Sequence, residues 1–264
     1  MIKKFDITIV IPVYNGEKFL SDTAFSAISQ DFDGGIKVLL VDDCSSDDSV
    51  SIIKELVARY ANVDCILRTN NLGLMASNQD SLNHVSTPYV MYLGQDDLLD
   101  RNHVRTMLNE FSEGVVSVWC NSRVIDERGT FRGVALNPTK QIVKNVIFNQ
   151  LISISNFVSS PGMVCKTITM KEVGGWCDKY RNFGEWSLWI RMATIGKFKF
   201  SIKSKAYYRR HSNNLSSFVD EATLPIEVQE FYNECRAEAS EKLNNGVFEK
   251  LTLSIFKNYL VKVK

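Results

Sequence analysis

Apolar residues fall in short blocks along the first hundred positions, separated by polar loops. Ile7-Thr8-Ile9-Val10-Ile11 is a β-branched run closed by Pro12, the pattern of a buried strand. After Asn15-Gly16, Leu20, Ala24, Ala27 and Ile28 recur at helical spacing. Ile36 to Val41 predicts a second buried strand that runs into Asp42-Asp43. Ser46 or Asp47 can cap a helix whose apolar face is Val50, Ile53, Leu56 and Tyr60. Val63 to Leu67 reads as a third strand, and Met75, Leu82 and Val85 mark another helix. Tyr89 to Leu93 predicts a fourth strand, which enters Gly94-Gln95-Asp96-Asp97. Strands alternating with helices imply βαβ units and a parallel sheet. Continuously apolar strands fit a sheet covered on both faces. Right-handed crossovers bring the strand-to-helix loops to one edge, where ligands of open α/β sheets bind. The loops Tyr14 to Gly16, Asp42 to Ser45 and Gly94 to Asp97 are therefore expected to converge.

The second half is less regular. Val115 to Cys120 reads as a strand and Asp126-Glu127-Arg128-Gly129 as a hairpin turn. Helices are expected over residues 142–151 and over Thr167 to Val173, the latter ended by Gly174-Gly175. Glu185 to Ile195 predicts a helix with Leu188, Met192 and Ile195 inward, closed by Gly196. Phe198 to Ile202 and Ala206 to Arg209 read as two strands, and the chain from Pro225 onward as helical. With no repeat or linker, the expected organisation is an α/β half over 1–100, an acceptor-side half of the same domain over 101–224, and a helical tail over 225–264.

Composition narrows the function. The 264 residues are 45% hydrophobic, enough for a full core. Lys and Arg number 31 against 30 Asp and Glu, a net charge of +1. That balance gives no bulk attraction to nucleic acid, so a charged ligand must be held by a local site. The six cysteines form no close pair and no zinc spacing, and Cys65 and Cys120 sit in apolar runs as small core residues. A reducing, cytoplasmic setting is expected. The apolar run after Lys3-Lys4 is too short and broken for a signal peptide, and no stretch is long enough to span a bilayer. Phe248, Leu251, Ile255, Phe256, Tyr259 and Leu260, interleaved with lysines, form a basic amphipathic helix. Such a helix docks on the protein itself, on a second subunit, or peripherally on the inner face of a membrane.

Acidic loops gathered on one sheet edge would repel one another unless something holds them. Hard oxygen ligands there collect Mg²⁺ or Mn²⁺, which in turn hold a diphosphate. Asp96 and Asp97, directly after a buried strand, are best placed for this. Asp97 or Asp100 could instead cap a helix beginning at Leu98. No Gly-rich phosphate loop follows the first strand, which argues against a nucleotidyltransferase and a dinucleotide-dependent dehydrogenase.

Seven segments in order resemble the inverting glycosyltransferases of family 2. They are Val10-Ile11-Pro12-Val13-Tyr14-Asn15; Val41-Asp42-Asp43-Cys44-Ser45-Ser46-Asp47; Asn71-Leu72-Gly73-Leu74 with Asn78; Tyr92-Leu93-Gly94-Gln95-Asp96-Asp97; Gly174-Gly175-Trp176; Glu185-Trp186-Ser187-Leu188-Trp189-Ile190-Arg191; and Tyr208-Arg209-Arg210-His211. The likeness covers about residues 6–215. It implies the GT-A fold, a Rossmann-like, mostly parallel sheet flanked by helices with an acceptor-side C-terminal half and a helical tail. It also implies a nucleotide-sugar donor, UDP-linked in the first instance, and a saccharide or lipid-linked saccharide acceptor of cell-surface polysaccharide synthesis.

The resemblance assigns roles residue by residue. Pro12 and the Tyr14 ring would border the nucleotide base. Asp43 would accept a hydrogen bond from a uracil-type base, and Asp42 would support Asp43 or serve as a strand-end turn residue. Asn71, Gly73 and Asn78 would line the nucleotide, with a turn and helix cap as the other reading of Asn71. Asn15 and Gln95 complete the donor set. Asp96 would hold Mn²⁺ or Mg²⁺, and His211 would complete the metal shell or touch the diphosphate. Trp186 would stack on an acceptor sugar or pack as a half-exposed core residue. The sequence departs from the family pattern twice. Gly94 stands where the first acid of the metal motif is expected, and Glu185 stands where the base is usually Asp. Glu185 would be the general base that deprotonates the acceptor hydroxyl as it attacks. Its other reading is a first-turn acid favoured by the helix dipole. The two departures keep open a second hypothesis, a catalytically impaired nucleotide-sugar-binding module.

Overall fold

The computed structural model describes residues 6–135, 156, 158–179, 183–214, 230–231 and 233. The helix expected over 142–151 and the amphipathic tail helix lie outside them. The first half follows the sequence pattern: β1 (Ile7–Val13), α1 (Leu20–Ile28), β2 (Ile36–Asp42), α2 (Ser49–Arg59), β3 (Val63–Leu67), α3 (Leu74–Asn83) and β4 (Tyr89–Tyr92). Next come β5 (Leu98–Leu99), α4 (His103–Leu108), β6 (Val115–Ile125) and β7 (Phe131–Val134). The last described elements are β8 (Val164–Lys166), α5 (Thr167–Glu172), α6 (Gly184–Ala193) and β9 (Lys197–Arg209).

Among the described residues these strands form one nine-stranded sheet in the order β3-β2-β1-β4-β8-β6-β9-β5, with β7 attached to β6. β1 pairs in parallel with β2 and β4, β2 with β3, and β6 with β9. β8, β5 and β7 run antiparallel to their neighbours. The carboxyl ends of β1, β2, β4, β6 and β9 therefore share one edge.

The sheet separates two hydrophobic clusters, as the period of two along each strand requires. Ile9, Ile11, Val38, Leu40 and Met91 face Leu20, Ala24 and Ile53 of α1 and α2, together with Val104 and Met107 of α4. Val10, Leu39, Val41 and Val90 face Leu82 of α3, Met170 of α5, and Leu188, Trp189 and Met192 of α6. Each such side chain removed from water contributes roughly 1.5–3 kcal/mol. Cover on both faces is why these strands read as continuous apolar runs.

The structure corrects several expectations. β1 continues through Pro12 to Val13. Pro12 is tolerated because the pairing of β1 with β4 ends at Val10 and Tyr92, so no partner on that side needs its missing N–H. Leu98 begins no helix: Leu98 and Leu99 pair with Tyr207 and Ala206 as β5, and α4 starts at His103. The two strands expected over 198–209 are one strand, β9, whose register against β6 jumps between Cys120 and Asn121 so that residues 202–204 bulge out. Ile195 lies beyond α6 and is exposed, while Leu188 and Met192 are buried as expected. Cys120 is core, but Cys65 keeps part of its surface. Gly174 and Gly175, at φ +86° and +70°, end α5 in the left-handed region that favours glycine.

Candidate active site

The loops after β1, β2 and β3 are tied to one another and to the loop after β4. The Gln95 amide clasps the backbone of Tyr14, accepting from its N–H at 2.9 Å and donating to its carbonyl at 3.1 Å. That leaves the Tyr14 ring half exposed. Asn15 sits at φ +50°, where its N–H donates to Ser45 Oγ and its side-chain oxygen accepts from the Ser46 N–H. Buried Asp42 accepts from the Ser45 N–H at 3.0 Å and so shapes the turn that carries Asp43.

The Asp43 carboxylate accepts from the N–H groups of Leu72 and Gly73, at 3.0 and 2.8 Å, with the Arg68 Nε 3.7 Å away. Asn71 Oδ1 also accepts from the Gly73 N–H, so Asn71 and Asp43 together fix the entrance to α3. Asn78 is buried, and its backbone carbonyl accepts from the Tyr92 hydroxyl. Two buried acceptors, Asp42 Oδ1 and Asn78 Oδ1, have no hydrogen-bond partner among the described residues. A natural structure satisfies nearly all such atoms.

The acidic loop after β4 is built from below by β9. Arg209 is buried; its Nε donates to the Asp96 carbonyl at 2.9 Å and its Nη1 to the Glu127 carbonyl at 2.9 Å. Its guanidinium lies over the Phe19 ring, 4.6 Å from the centroid. The Arg209 backbone N–H donates to Asp97 Oδ1 at 3.0 Å. Asp96 Oδ2 meets His211 Nε2 at 2.8 Å and accepts from the Asn214 amide at 2.9 Å. His211 Nδ1 accepts from the Asn213 N–H, which makes Nε2 the protonated nitrogen facing Asp96. Burial first, and the Asp96 carboxylate second, hold the Asp97 carboxyl far above its usual range; Glu185 adds to the effect and Arg209 opposes it.

Glu185 comes to this edge from the other half of the chain, in the first turn of α6. Its charge contributes to raising the Asp97 carboxyl. Its carboxyl lines a cavity with Tyr92, Ser160, Cys165, Trp176 and Trp189. Burial raises the Glu185 carboxyl above its usual range, and a hydrogen bond from Ser160 opposes that rise. Arg191 of α6 donates to the carbonyls of Val173 and Gly175, which ties this helix to the Gly174-Gly175-Trp176 turn. Trp189 is core and packs edge-on against Trp176, 5.9 Å between centroids. Trp186 packs on Phe183 and Phe231 and is partly exposed.

The structure thus brings Asp96, Asp97 and His211 together, with Tyr14 joined to Asp96's loop through Gln95 and Glu185 in a cavity beside Tyr92. Asp43 stands apart on β2. β2 and β4 flank β1, so their loops start about 10 Å apart at a strand spacing of roughly 4.8 Å. Sequence reasoning missed three residues. Arg209 carries a signal, a cation two residues before His211 at the end of a strand. Asn214 carries none, and Ser160 only the Pro161-Gly162 turn signature beside it.

Asp96 and His211 are the residues of this edge that could hold a divalent ion. Among the described residues no three His, Cys, Asp or Glu side chains form a preassembled cage. The 2.8 Å between Asp96 Oδ2 and His211 Nε2 is nonetheless close to the separation of neighbouring ligands on an octahedral ion, about 3 Å for bonds of roughly 2.1 Å. Mg²⁺ and Mn²⁺ commonly take one or two protein ligands and complete their shell with water and phosphate oxygens. For His211 to hold an ion through Nε2 its proton would have to sit on Nδ1, which here accepts from the Asn213 N–H.

Residues 8–167 match the family model described as Glycosyl transferase family 2. The chain is 21% identical over 223 residues to an uncharacterized glycosyltransferase of Rickettsia prowazekii, covering 81% of this chain and 68% of that protein. It is 24% identical over 252 residues to poly(ribitol-phosphate) β-N-acetylglucosaminyltransferase TarS of Staphylococcus aureus, covering 92% of this chain and 41% of TarS. Other relatives are longer still, the chain spanning 12% of one of them. The structure of TarS residues 1–349 with UDP superposes with a TM-score of 0.70 at 16% identity, over 97% of this chain and 71% of that one. The mannosyltransferase PcManGT of Pyrobaculum calidifontis, solved with GDP-Man and Mn²⁺, superposes at 0.68 and 13% identity, over 96% of this chain and 69% of that one. At these identities the superpositions establish the GT-A fold. Among the described residues no helix is long and apolar enough to cross a membrane.

Proposed function

The chain belongs to glycosyl transferase family 2, and from that premise we propose that it transfers a sugar from a UDP-linked donor, with inversion, to a hydroxyl of a saccharide or lipid-linked saccharide in cell-surface polysaccharide synthesis. The observation that carries this reading is the cavity in which Glu185, from the second half of the chain, lies beside Tyr92, the last residue of the strand that leads into the Asp96-Asp97 loop. A carboxylate raised by burial beside a diphosphate-binding edge has the character of a general base. Glu185 takes the proton of the acceptor hydroxyl as the oxygen attacks the anomeric carbon. Attack opposite the departing diphosphate inverts the configuration. Tyr14, Asp42, Asp43, Asn71 and Asn78 hold the nucleoside end.

Asp96 and His211 would hold Mn²⁺ or Mg²⁺, which, when bound, offsets the charge that grows on the departing diphosphate. The solved relatives with UDP and with GDP-Man and Mn²⁺ support these assignments by analogy of fold. The acceptor would enter over Trp186. The peripheral placement at a membrane rests on the basic amphipathic tail.

The test is a panel of UDP-sugars screened by thermal shift with Mn²⁺, followed by UDP release and anomer analysis of the product. A donor that binds the folded state raises the melting temperature by mass action. Glu185→Gln should keep donor binding and lose transfer; normal turnover by that variant refutes the role of Glu185. Donor binding without UDP release under any acceptor would favour the second reading, a binding module, for which Gly94 in the metal motif is the supporting feature.

A further inference from the structure

We propose that Ser160 is the positioning residue for Glu185, holding its carboxylate in the orientation that abstracts the acceptor proton. The inference rests on the reading of Glu185 as base. Ser160 and Glu185 line the same cavity, and the Ser160 hydroxyl holds the Glu185 carboxyl lower than burial alone would. The rest of the wall, Val90, Met163, Met170, Trp176 and Trp189, consists of apolar and aromatic side chains, joined by Tyr92 and Cys165. Ser160 is the one short hydroxyl among these residues.

The backbone that presents Ser160 is unusually fixed. The Met163 N–H donates to the Ser160 carbonyl at 3.1 Å, closing a turn with Pro161 second and Gly162 third at φ +76°. That is the sequence and geometry of a type II turn. Buried His103 donates from Nε2 to the Gly162 carbonyl at 2.6 Å, and Ser204 Oγ holds its Nδ1 at 2.7 Å. A Cβ on Gly162 would lie 2.6 Å from the His103 ring. Directly after the turn the chain enters β8, inside the sheet. Ser160 is therefore set by a buried histidine, a turn that needs glycine and a central strand, while Glu185 stands on a separate helix. A hydroxyl so placed selects one carboxylate orientation, which reaction geometry requires.

The experiment compares Ser160→Ala, Ser160→Thr and Glu185→Gln in UDP release from UDP-N-acetylglucosamine and UDP-glucose with Mn²⁺, using the full chain. Ser160→Ala is expected to lower kcat about tenfold or more while the donor KM stays within about twofold, as a transition-state effect does. Because the Ser160 bond lowers the Glu185 carboxyl, its loss moves the acid limb of the pH–rate profile to higher pH. Tyr92 and Cys165, the other ionisable groups lining the cavity, are both pushed up to about 12, so neither substitutes for that limb. Ser160→Thr restores the hydroxyl and should restore kcat. Gly162→Ala keeps Ser160 but displaces the turn, and should reproduce the kcat loss. Ser160→Ala with the kcat and acid limb of the unaltered protein, or with KM raised as much as kcat falls, overturns the inference. Full turnover by Glu185→Gln would instead remove Glu185 as base, and the role of Ser160 with it.

Discussion

Arg209 is where stability and donor binding should fail together. Consider Arg209→Met, which keeps an unbranched apolar stem and removes the guanidinium. The carbonyls of Asp96 and Glu127, each bonded at 2.9 Å, lose their donor. An orphaned buried acceptor costs about 1–3 kcal/mol. Phe19 loses a cation 4.6 Å above its ring, worth about 0.5–2 kcal/mol. The methionine recovers part of the buried area, so the net expectation is about 3–5 kcal/mol, the range seen when one partner of a buried charged cluster is removed. In a chain of this size 1 kcal/mol moves the melting temperature about 2–4 °C, so the fall should be about 6–20 °C. Since the Asp96 carbonyl and the Asp97 carboxylate are both anchored by Arg209, Mn²⁺-dependent UDP affinity should fall as well. Arg209→Lys, with the charge but without the planar fork, should fall between. Thermal unfolding by circular dichroism and UDP titration calorimetry at fixed Mn²⁺ check both halves. A melting point within about 3 °C of the unaltered protein, with UDP affinity unchanged, would refute the claim that Arg209 builds the acidic loop.

Three further outcomes are expected. Asp43→Asn leaves one acceptor oxygen for the two N–H groups of Leu72 and Gly73, so UDP affinity should fall about tenfold through the loosened loop; unchanged affinity by calorimetry would show that the loop holds without it. Burial lowers the His103 pKa below 6.5, so the unfolded chain takes a proton there before the folded one does; stability should fall as pH drops below 6.5. Urea unfolding at pH 8 and 5.5 should show a smaller loss in His103→Gln than in the unaltered protein. In Gly94→Asp the new Cβ would sit 3.0 Å from Asp96 Oδ1 and Asp97 Oδ2, so the melting temperature should fall without metal and rise with Mn²⁺ by more than in the unaltered protein; equal metal responses would argue against this edge as the ion site.

The first half was legible because its contacts are local in pattern. Buried parallel strands read as unbroken apolar runs, and the crossover rule alone brought residues 14–16, 42–45 and 94–97 to one edge, as the Gln95–Tyr14 and Asn15–Ser45 bonds express. Two of the later motif segments also touch, since Arg191 binds the glycine turn at 174–175, and the Trp176 N–H donates to Gln79 on α3. What the sequence hid is what depends on partners far along the chain. Leu98-Leu99 followed by polar residues looks like a helix start until β9 supplies a strand to pair with. The bulge at 202–204 is set by β6, not by its own residues. Asn214 and Ser160 are ordinary polar residues until Asp96 and Glu185 arrive beside them. Propensity resolves elements; it does not resolve which distant side chain a hydroxyl will face.

The same nonlocal partners answer the question that acidic loops on one edge raise. Two neighbouring carboxylates and a third on α6 cannot all stay ionised at short range in a partly buried site, since the repulsion grows as the local dielectric falls. The chain's own groups temper this. Asp97 is buried, with its carboxyl raised well above its usual range; Asp96 is bonded by His211 and Asn214; and the Arg209 guanidinium sits behind the loop. Gly94 removes a fourth acid from a place where its Cβ alone would crowd two carboxylates. The edge is thus less negative than its sequence suggests. A diphosphate would meet one accessible carboxylate, a neighbouring imidazole and a buried cation. An ion held by Asp96 and His211 would have fewer charges to neutralise, and its affinity should depend on the phosphate oxygens more than on the protein. UDP and Mn²⁺ should accordingly bind with strong mutual dependence, each weak alone. Tight Mn²⁺ binding by the free protein in calorimetry would contradict that reasoning.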